Sequence, residues 1–184
     1  MERRYFTLSN LFSASRILLT LPMGYCLLTE FPSHRIWTAG IIIIAVATDF
    51  LDGYLARKLH QVTEFGKLLD PVADKIGIGV YAILLAITGD VPFWFISTVV
   101  GRDILIFAGG LYIHRKKNII PQSNWPGKIS VSCIAVTFFL ATVNIESLQV
   151  LTVISLWLSV LLIVWSLWSY AQRLFIGRHI TILK

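Results

Sequence analysis

The sequence predicts an all-α integral membrane protein with six transmembrane helices, a short N-terminal interfacial helix and both termini in the cytoplasm. Three observations carry that expectation. The first is composition. Of 184 residues, 56% are hydrophobic and only 14% are charged, with a mean hydropathy of +0.74. A soluble domain holds about a quarter charged residues, and a disordered chain needs low hydrophobicity with high charge. The second is segmentation into six continuous apolar runs, each near the roughly 20 residues that cross a bilayer as a helix. They do not alternate as barrel strands do. The third is the distribution of basic residues. Arg3, Arg4, Arg57, Lys58, Lys67, Arg115, Lys116, Lys117, Lys128, Arg173, Arg178 and Lys184 all fall on one side of such a bundle, and Arg35 alone on the other. By the positive-inside rule that side is the cytoplasm. The net charge of +6 therefore reads as cytoplasmic loop charge, with no nucleic-acid partner implied.

Met1 to Ser9 form the interfacial segment. Arg16 interrupts the apolar run behind it and no small-residue cleavage site follows, which argues against a signal peptide. The first span runs from Asn10 to Thr29 and is closed by Pro32-Ser33. The second covers Ile36 to Arg57 and the third Gly66 to Thr88. Gly89-Asp90-Val91-Pro92 separates the third from the fourth, Pro92 to His114. Pro126-Gly127 opens the fifth, which reaches Val143, and the sixth runs from Leu148 to Arg173. Trp37 and Trp94 lie near the outer interface; Trp125, Trp165 and Trp168 lie near the inner one, as an aromatic belt does. Cys26 and Cys133 sit in apolar runs without metal-ligand spacing and read as small buried hydrophobes. The whole of 1–184 is one membrane domain.

Charges inside the spans point to function. A charged side chain at a helix centre costs about 2.5–3.5 kcal/mol on insertion scales, so such residues face a cavity or a partner. Arg16, Asp49, Asp52, Asp70, Asp74, Lys75, Arg102 and Asp103 are of this kind. Asp49, Asp52, Gly53, Ala56 and Arg57 share one helix face; Gly66, Asp70 and Asp74 recur every four residues on the next helix. A short connection makes the two helices antiparallel neighbours. Four bare carboxylates would repel one another and raise their pKa values. Around two divalent cations they would be neutralised, and oxygen ligands favour Mg²⁺ or Mn²⁺. Gly53, Ala56 and Gly66 leave room for a large ligand, and Arg57 adds a charge for a phosphate. The cluster reads as a dimetal, diphosphate-binding site open to the cytoplasm. Structural ion pairs with Lys75, Arg57 and Arg102 are the plain alternative. A cation pathway in a transporter is the other, and it leaves the small residues unexplained.

The run Asp49-Phe-Leu-Asp52-Gly53-Tyr-Leu-Ala56-Arg57, then eight residues, Gly66, Asp70 and Asp74, resembles the signature DxxDGxxARx8GxxxDxxxD of the CDP-alcohol phosphotransferases at every fixed position. That resemblance implies a six-helix membrane enzyme, usually a homodimer. It would transfer a phosphatidyl group from CDP-diacylglycerol to an alcohol, with release of CMP. It further implies that Asp49, Asp52, Asp70 and Asp74 ligate two divalent cations, and that Asp74 is also the general base. Asn10, Gly53, Ala56, Arg57 and Gly66 then contact the CDP-lipid.

Leu8-Ser9-Asn10-Leu11, Thr63-Glu64-Phe65-Gly66-Lys67 and Leu69-Asp70-Pro71-Val72-Ala73-Asp74-Lys75 are similar to bacterial phosphatidylglycerophosphate synthases. This implies glycerol 3-phosphate as acceptor, held by Arg102, Arg115 and Lys128, and a bacterial inner membrane with the site facing the cytoplasm. Arg115 to Lys117 also read as a topology signal. Two positions depart from that subfamily. Asp103 stands where an Arg-Glu pair is usual, and Ser130 where a second Lys is usual. The Arg-Asp pair resembles cardiolipin synthases, whose acceptor is phosphatidylglycerol. Serine or inositol phosphate is a further alternative.

Overall fold

A computed structural model describes the backbone of residues 8–29, 31–58, 64–117 and 125–176, and side chains over 18–29, 31–48, 50–51, 75–110 and 125–172. The described residues form six α-helices and no strand: α1 (Leu8–Leu28), α2 (His34–Lys58), α3 (Glu64–Ile87), α4 (Phe93–Lys117), α5 (Trp125–Val143) and α6 (Gln149–Ile176), with a 3₁₀ turn at Glu146–Leu148. Each expected span corresponds to one helix, with ends displaced by three residues at most. The displacement is largest at the C-terminal ends of α4 and α6, where the helices continue through residues 115–117 and through residues 174–176. Pro126 sits in the first turn of α5, where a missing N–H costs nothing. Pro22 lies inside α1. The expected interfacial segment falls mostly on residues 1–7, outside the described residues.

Three helices are long and apolar enough to cross a membrane among the described residues: Phe93–Gly110, Trp125–Val143 and Glu146–Gln172. Shorter apolar stretches cover Leu18–Leu28, His34–Thr48 and Lys75–Ile87. The described side chains fit a lipid solvent. Trp37, Trp94, Trp125, Trp157, Trp165 and Trp168 are all outward-facing, as are Leu151, Ile154 and Leu161 on α6. The chain is a membrane protein, and its apolar residues cover its outside as well as its core.

Two compact units can be distinguished. The first comprises residues 1–90 with Thr142–Asn144. Here α1 packs on both α2 and α3. Met23, Cys26 and Leu27 are buried on one face of α1, with Ala39 from α2 and Tyr81, Ala82 and Leu85 from α3. Small residues let α1 and α3 approach. A Cβ on Gly24 would lie 3.3 Å from Cδ1 of Leu84, and one on Gly77 would lie 3.9 Å from Cγ2 of Thr20. Gly77 therefore serves packing within this unit.

The second unit holds residues 91–141 and 145–184. In it α4 packs on α6. The Phe95 and Phe138 rings meet edge to face at 6.2 Å, and Trp94 lies 5.7 Å from Trp157. Between α5 and α6 the contacts are partly polar. Thr137 and Ser159 share a hydrogen bond of 3.1 Å, and Cys133 Sγ lies 3.6 Å from the Ser155 carbonyl. Cys26 is buried as expected, whereas Cys133 is only half-buried.

Candidate active site

The ends of α2 and α3 establish their relative direction. Arg35, the second residue of α2, makes an ion pair of 3.0 Å through Nη1 with Oδ1 of Asp90, just past the end of α3. His34, Arg35, Ile87 and Thr88 line one recess at that end. The start of α2 thus lies beside the end of α3, and the two helices run in opposite directions. Asp49 and Asp52 follow Arg35 by 14 and 17 residues, about 21 and 26 Å along a helix axis at 1.5 Å per residue. Asp74 and Asp70 precede Ile87 by 13 and 17 residues, about 20 and 26 Å along α3. The two carboxylate pairs therefore stand at matching heights, at the end of the unit away from Arg35.

All of these positions are helical. Asp49 and Asp52 are separated by one turn of α2, with Gly53, Ala56 and Arg57 on the turns that follow; Gly66, Asp70 and Asp74 mark successive turns of α3. The side chains of Asp49, Asp52, Gly53, Ala56, Arg57, Gly66, Asp70 and Asp74 lie outside the described residues, as do those of Asn10 on α1 and Arg115 on α4.

Arg102 and Lys128 are described, and both belong to the second unit. Arg102 is only 7% exposed. Its Nη1 donates to Oδ1 of Asp103 at 2.8 Å, and its Nη2 donates to the Gly127 carbonyl at 3.2 Å and to Ser130 Oγ at 3.1 Å. Ser130, fully buried, donates to the Gly127 carbonyl at 2.9 Å. Lys128 is exposed, with Nζ 5.7 Å from the centre of the Trp125 ring. The sequence reading found Arg102 beside Asp103 but not its bonds to Gly127 and Ser130. Arg102 and Ser130 are 28 positions apart in sequence, beyond the reach of any helical period.

The polar knot at the other end of the first unit was also not foreseen. Asp90 accepts from Thr88 Oγ1 at 2.6 Å and from Asn144 Nδ2 at 3.3 Å, besides its ion pair. Arg35 also donates to the Thr142 carbonyl at 3.2 Å, and the Thr142 hydroxyl is hydrogen-bonded to Tyr81 OH.

Residues 6–165 match the family defined as CDP-alcohol phosphatidyltransferase. This chain belongs to the CDP-alcohol phosphatidyltransferase family. The match includes the whole of the motif on α2 and α3. Within the family, the chain is 43% identical over 88 residues to a CDP-diacylglycerol–glycerol-3-phosphate 3-phosphatidyltransferase of Mycoplasma genitalium, covering 48% of this chain and 37% of the relative. It is 31% identical over 153 residues to a Bacillus subtilis protein of the same name, covering 78% and 76%. A Mycobacterium tuberculosis protein provisionally named a cardiolipin synthase is 31% identical over 105 residues, or 57% and 49% of the two chains. The chain spans less than half the length of the Mycoplasma relatives it matches.

Proposed function

We propose that this phosphatidyltransferase-family member moves the phosphatidyl group of CDP-diacylglycerol to glycerol 3-phosphate and releases CMP. The observation that carries the reading is the equal height of Asp49 and Asp52 on α2 with Asp70 and Asp74 on the antiparallel α3. Family membership and the names of the Mycoplasma and Bacillus relatives support the choice of donor and acceptor.

The donor set consists of carboxylate oxygens, which suits two hard cations, Mg²⁺ or Mn²⁺, held by Asp49, Asp52, Asp70 and Asp74. Such ions would offset the charge of the diphosphate and of the departing CMP. Gly53, Ala56 and Gly66 free one side of the helix pair for the nucleotide, Arg57 holds a phosphate oxygen, and Asn10 contributes to the CDP-lipid site. Asp74 takes the proton of the acceptor hydroxyl as its oxygen attacks the β-phosphorus. Arg102, Arg115 and Lys128 bind the acceptor. The diacylglycerol chains stay in the bilayer, which accounts for a membrane scaffold. The proposal includes six spans, both termini and the site on the cytoplasmic face of a bacterial inner membrane, and a homodimer.

A second acceptor is favoured by one observation: the Arg102–Asp103 ion pair offsets the positive charge of that position, which suits phosphatidylglycerol and the cardiolipin synthase reaction. Purified protein is to be given CDP-diacylglycerol, Mg²⁺ and, in turn, glycerol 3-phosphate, phosphatidylglycerol, serine and inositol phosphate. CMP release with glycerol 3-phosphate is expected. Release only with another acceptor would reassign the substrate. Absence of release with all four, together with ion flux in proteoliposomes lacking nucleotide, would replace the enzyme by a transporter.

A further inference from the structure

We infer that the recess between the ends of α1, α2 and α3 binds the headgroup of a zwitterionic bilayer phospholipid with a primary ammonium, phosphatidylethanolamine, and that Nε2 of His34 accepts a hydrogen bond from that ammonium. The recess has a volume of about 570 Å³, inside the range of roughly 300–1,000 Å³ usual for small-molecule sites. It lies wholly within the first unit, at the end marked by Arg35 and Asp90. Leu28, Phe31 and Ile87 give it an apolar side; His34, Arg35 and Thr88 give it a polar one. Leu28 and Ile87 are 56% and 67% exposed, so the apolar side is open to the surroundings, which for a membrane protein are acyl chains. Trp37, one turn after His34 and also exposed, is a residue type enriched at headgroup depth.

The polar side selects the headgroup. Nδ1 of His34 lies 3.0 Å from the Cys26 carbonyl. A carbonyl only accepts, so Nδ1 carries the hydrogen, and in the neutral ring Nε2 is left with a lone pair. Nε2 has no partner among the described residues, and the ring is held in place by an edge contact with Phe31 at 6.0 Å between centres. The Thr88 hydroxyl already gives its hydrogen to Oδ2 of Asp90 at 2.6 Å, so it too can offer a ligand only acceptor capacity. Both atoms call for a donor in the ligand. A primary ammonium has three, and its bond to a neutral acceptor is charge-assisted; a trimethylated ammonium has none. The Arg35 charge attracts the phosphate of the same headgroup, yet Asp90 balances it at 3.0 Å. A lining whose one cation is balanced in this way favours a zwitterion over an anionic lipid. The motif aspartates stand about 20 Å or more away along α2 and α3, so occupancy of the recess can be measured without turnover.

The test is the melting temperature of the purified full chain in maltoside detergent at about pH 8, where imidazoles are neutral. Phosphatidylethanolamine, phosphatidylcholine and phosphatidylglycerol with the same acyl chains are added in turn. Phosphatidylethanolamine in large excess should raise the wild-type midpoint by about 5 °C, and the other two by less than about 2 °C. His34→Asn should lose the response to phosphatidylethanolamine, because an Asn amide nitrogen can take the place of Nδ1 toward Cys26 and nothing takes the place of Nε2. Leu28→Trp, which fills the recess from its exposed wall and touches no buried hydrogen bond, should lose it as well. Should His34→Asn fail to fold, Leu28→Trp decides together with the three-lipid comparison. Equal shifts with phosphatidylethanolamine and phosphatidylcholine would mean general solvation by lipid and overturn the inference. A larger shift with phosphatidylglycerol, no shift with any lipid, or a wild-type response in either folded variant would overturn it too.

Discussion

Aspartates in this chain meet two different fates. Asp90 is neutralised inside the protein: Arg35, Thr88 and Asn144 all donate to it, and its side chain is only 5% exposed. Asp49, Asp52, Asp70 and Asp74 share their helix faces with glycine, alanine and one arginine, and with each other across two helices. The first arrangement serves stability, the second is the one proposed to serve chemistry, and substitutions separate them. Arg35→Ala leaves Asp90 a buried charge without its cation. It should cost about 3 kcal/mol, read as a lower melting temperature in detergent with KM values unchanged in the surviving protein. Asp74→Asn should do the reverse, keeping the melting temperature and reducing CMP release by about 100-fold or more, the typical contribution of a general base. The four motif aspartates could be read from the sequence because their spacing is periodic within a helix. The Arg35–Asp90 pair could not be, because an ion pair across 55 positions has no local signature. Sequence reading could only count both as charges on the outer side.

At the scale of helices the apolar runs were sufficient. Each of the six expected runs falls on one described helix with its ends within three residues, and three of these helices are long and apolar enough to cross a membrane. What stayed hidden is how neighbours touch. The buried hydroxyls of Thr137 and Ser159 lie in stretches of high hydropathy, where a sequence pattern shows no difference between a lipid-facing and a helix-facing serine. Gly24 is a further instance. It was one small residue among many until the α1–α3 contact placed Leu84 against it. Gly24→Val adds bulk 3.3 Å from Leu84 Cδ1 and should destabilise by about 1–3 kcal/mol. Unfolding in detergent would register this as a lower melting temperature. Gly79→Val, with nothing within 4 Å of its Cβ position, should leave it nearly unchanged. Equal effects at both glycines would mean that α1 and α3 do not meet as described.

For the whole molecule, the orientation proposed from the charge asymmetry puts the motif at the cytoplasmic end and the Arg35–Asp90 end outside. In a background lacking Cys26 and Cys133, Lys184→Cys should react with an impermeant maleimide only after the cells are opened, and Glu146→Cys in intact spheroplasts. The opposite pattern would invert the topology. The reason for a membrane scaffold follows from the proposed substrate, whose acyl chains remain in lipid while its diphosphate must reach four carboxylates. Those carboxylates are compatible with a low-dielectric bundle when cations cancel their repulsion. Manganese binding followed by electron paramagnetic resonance tests this most directly. With CDP-diacylglycerol present, the wild type should take up two Mn²⁺ per chain with a spin-coupled spectrum, and Asp52→Asn should lose that coupling. Uptake of a single uncoupled ion, or identical binding in the wild type and Asp52→Asn, would contradict the account.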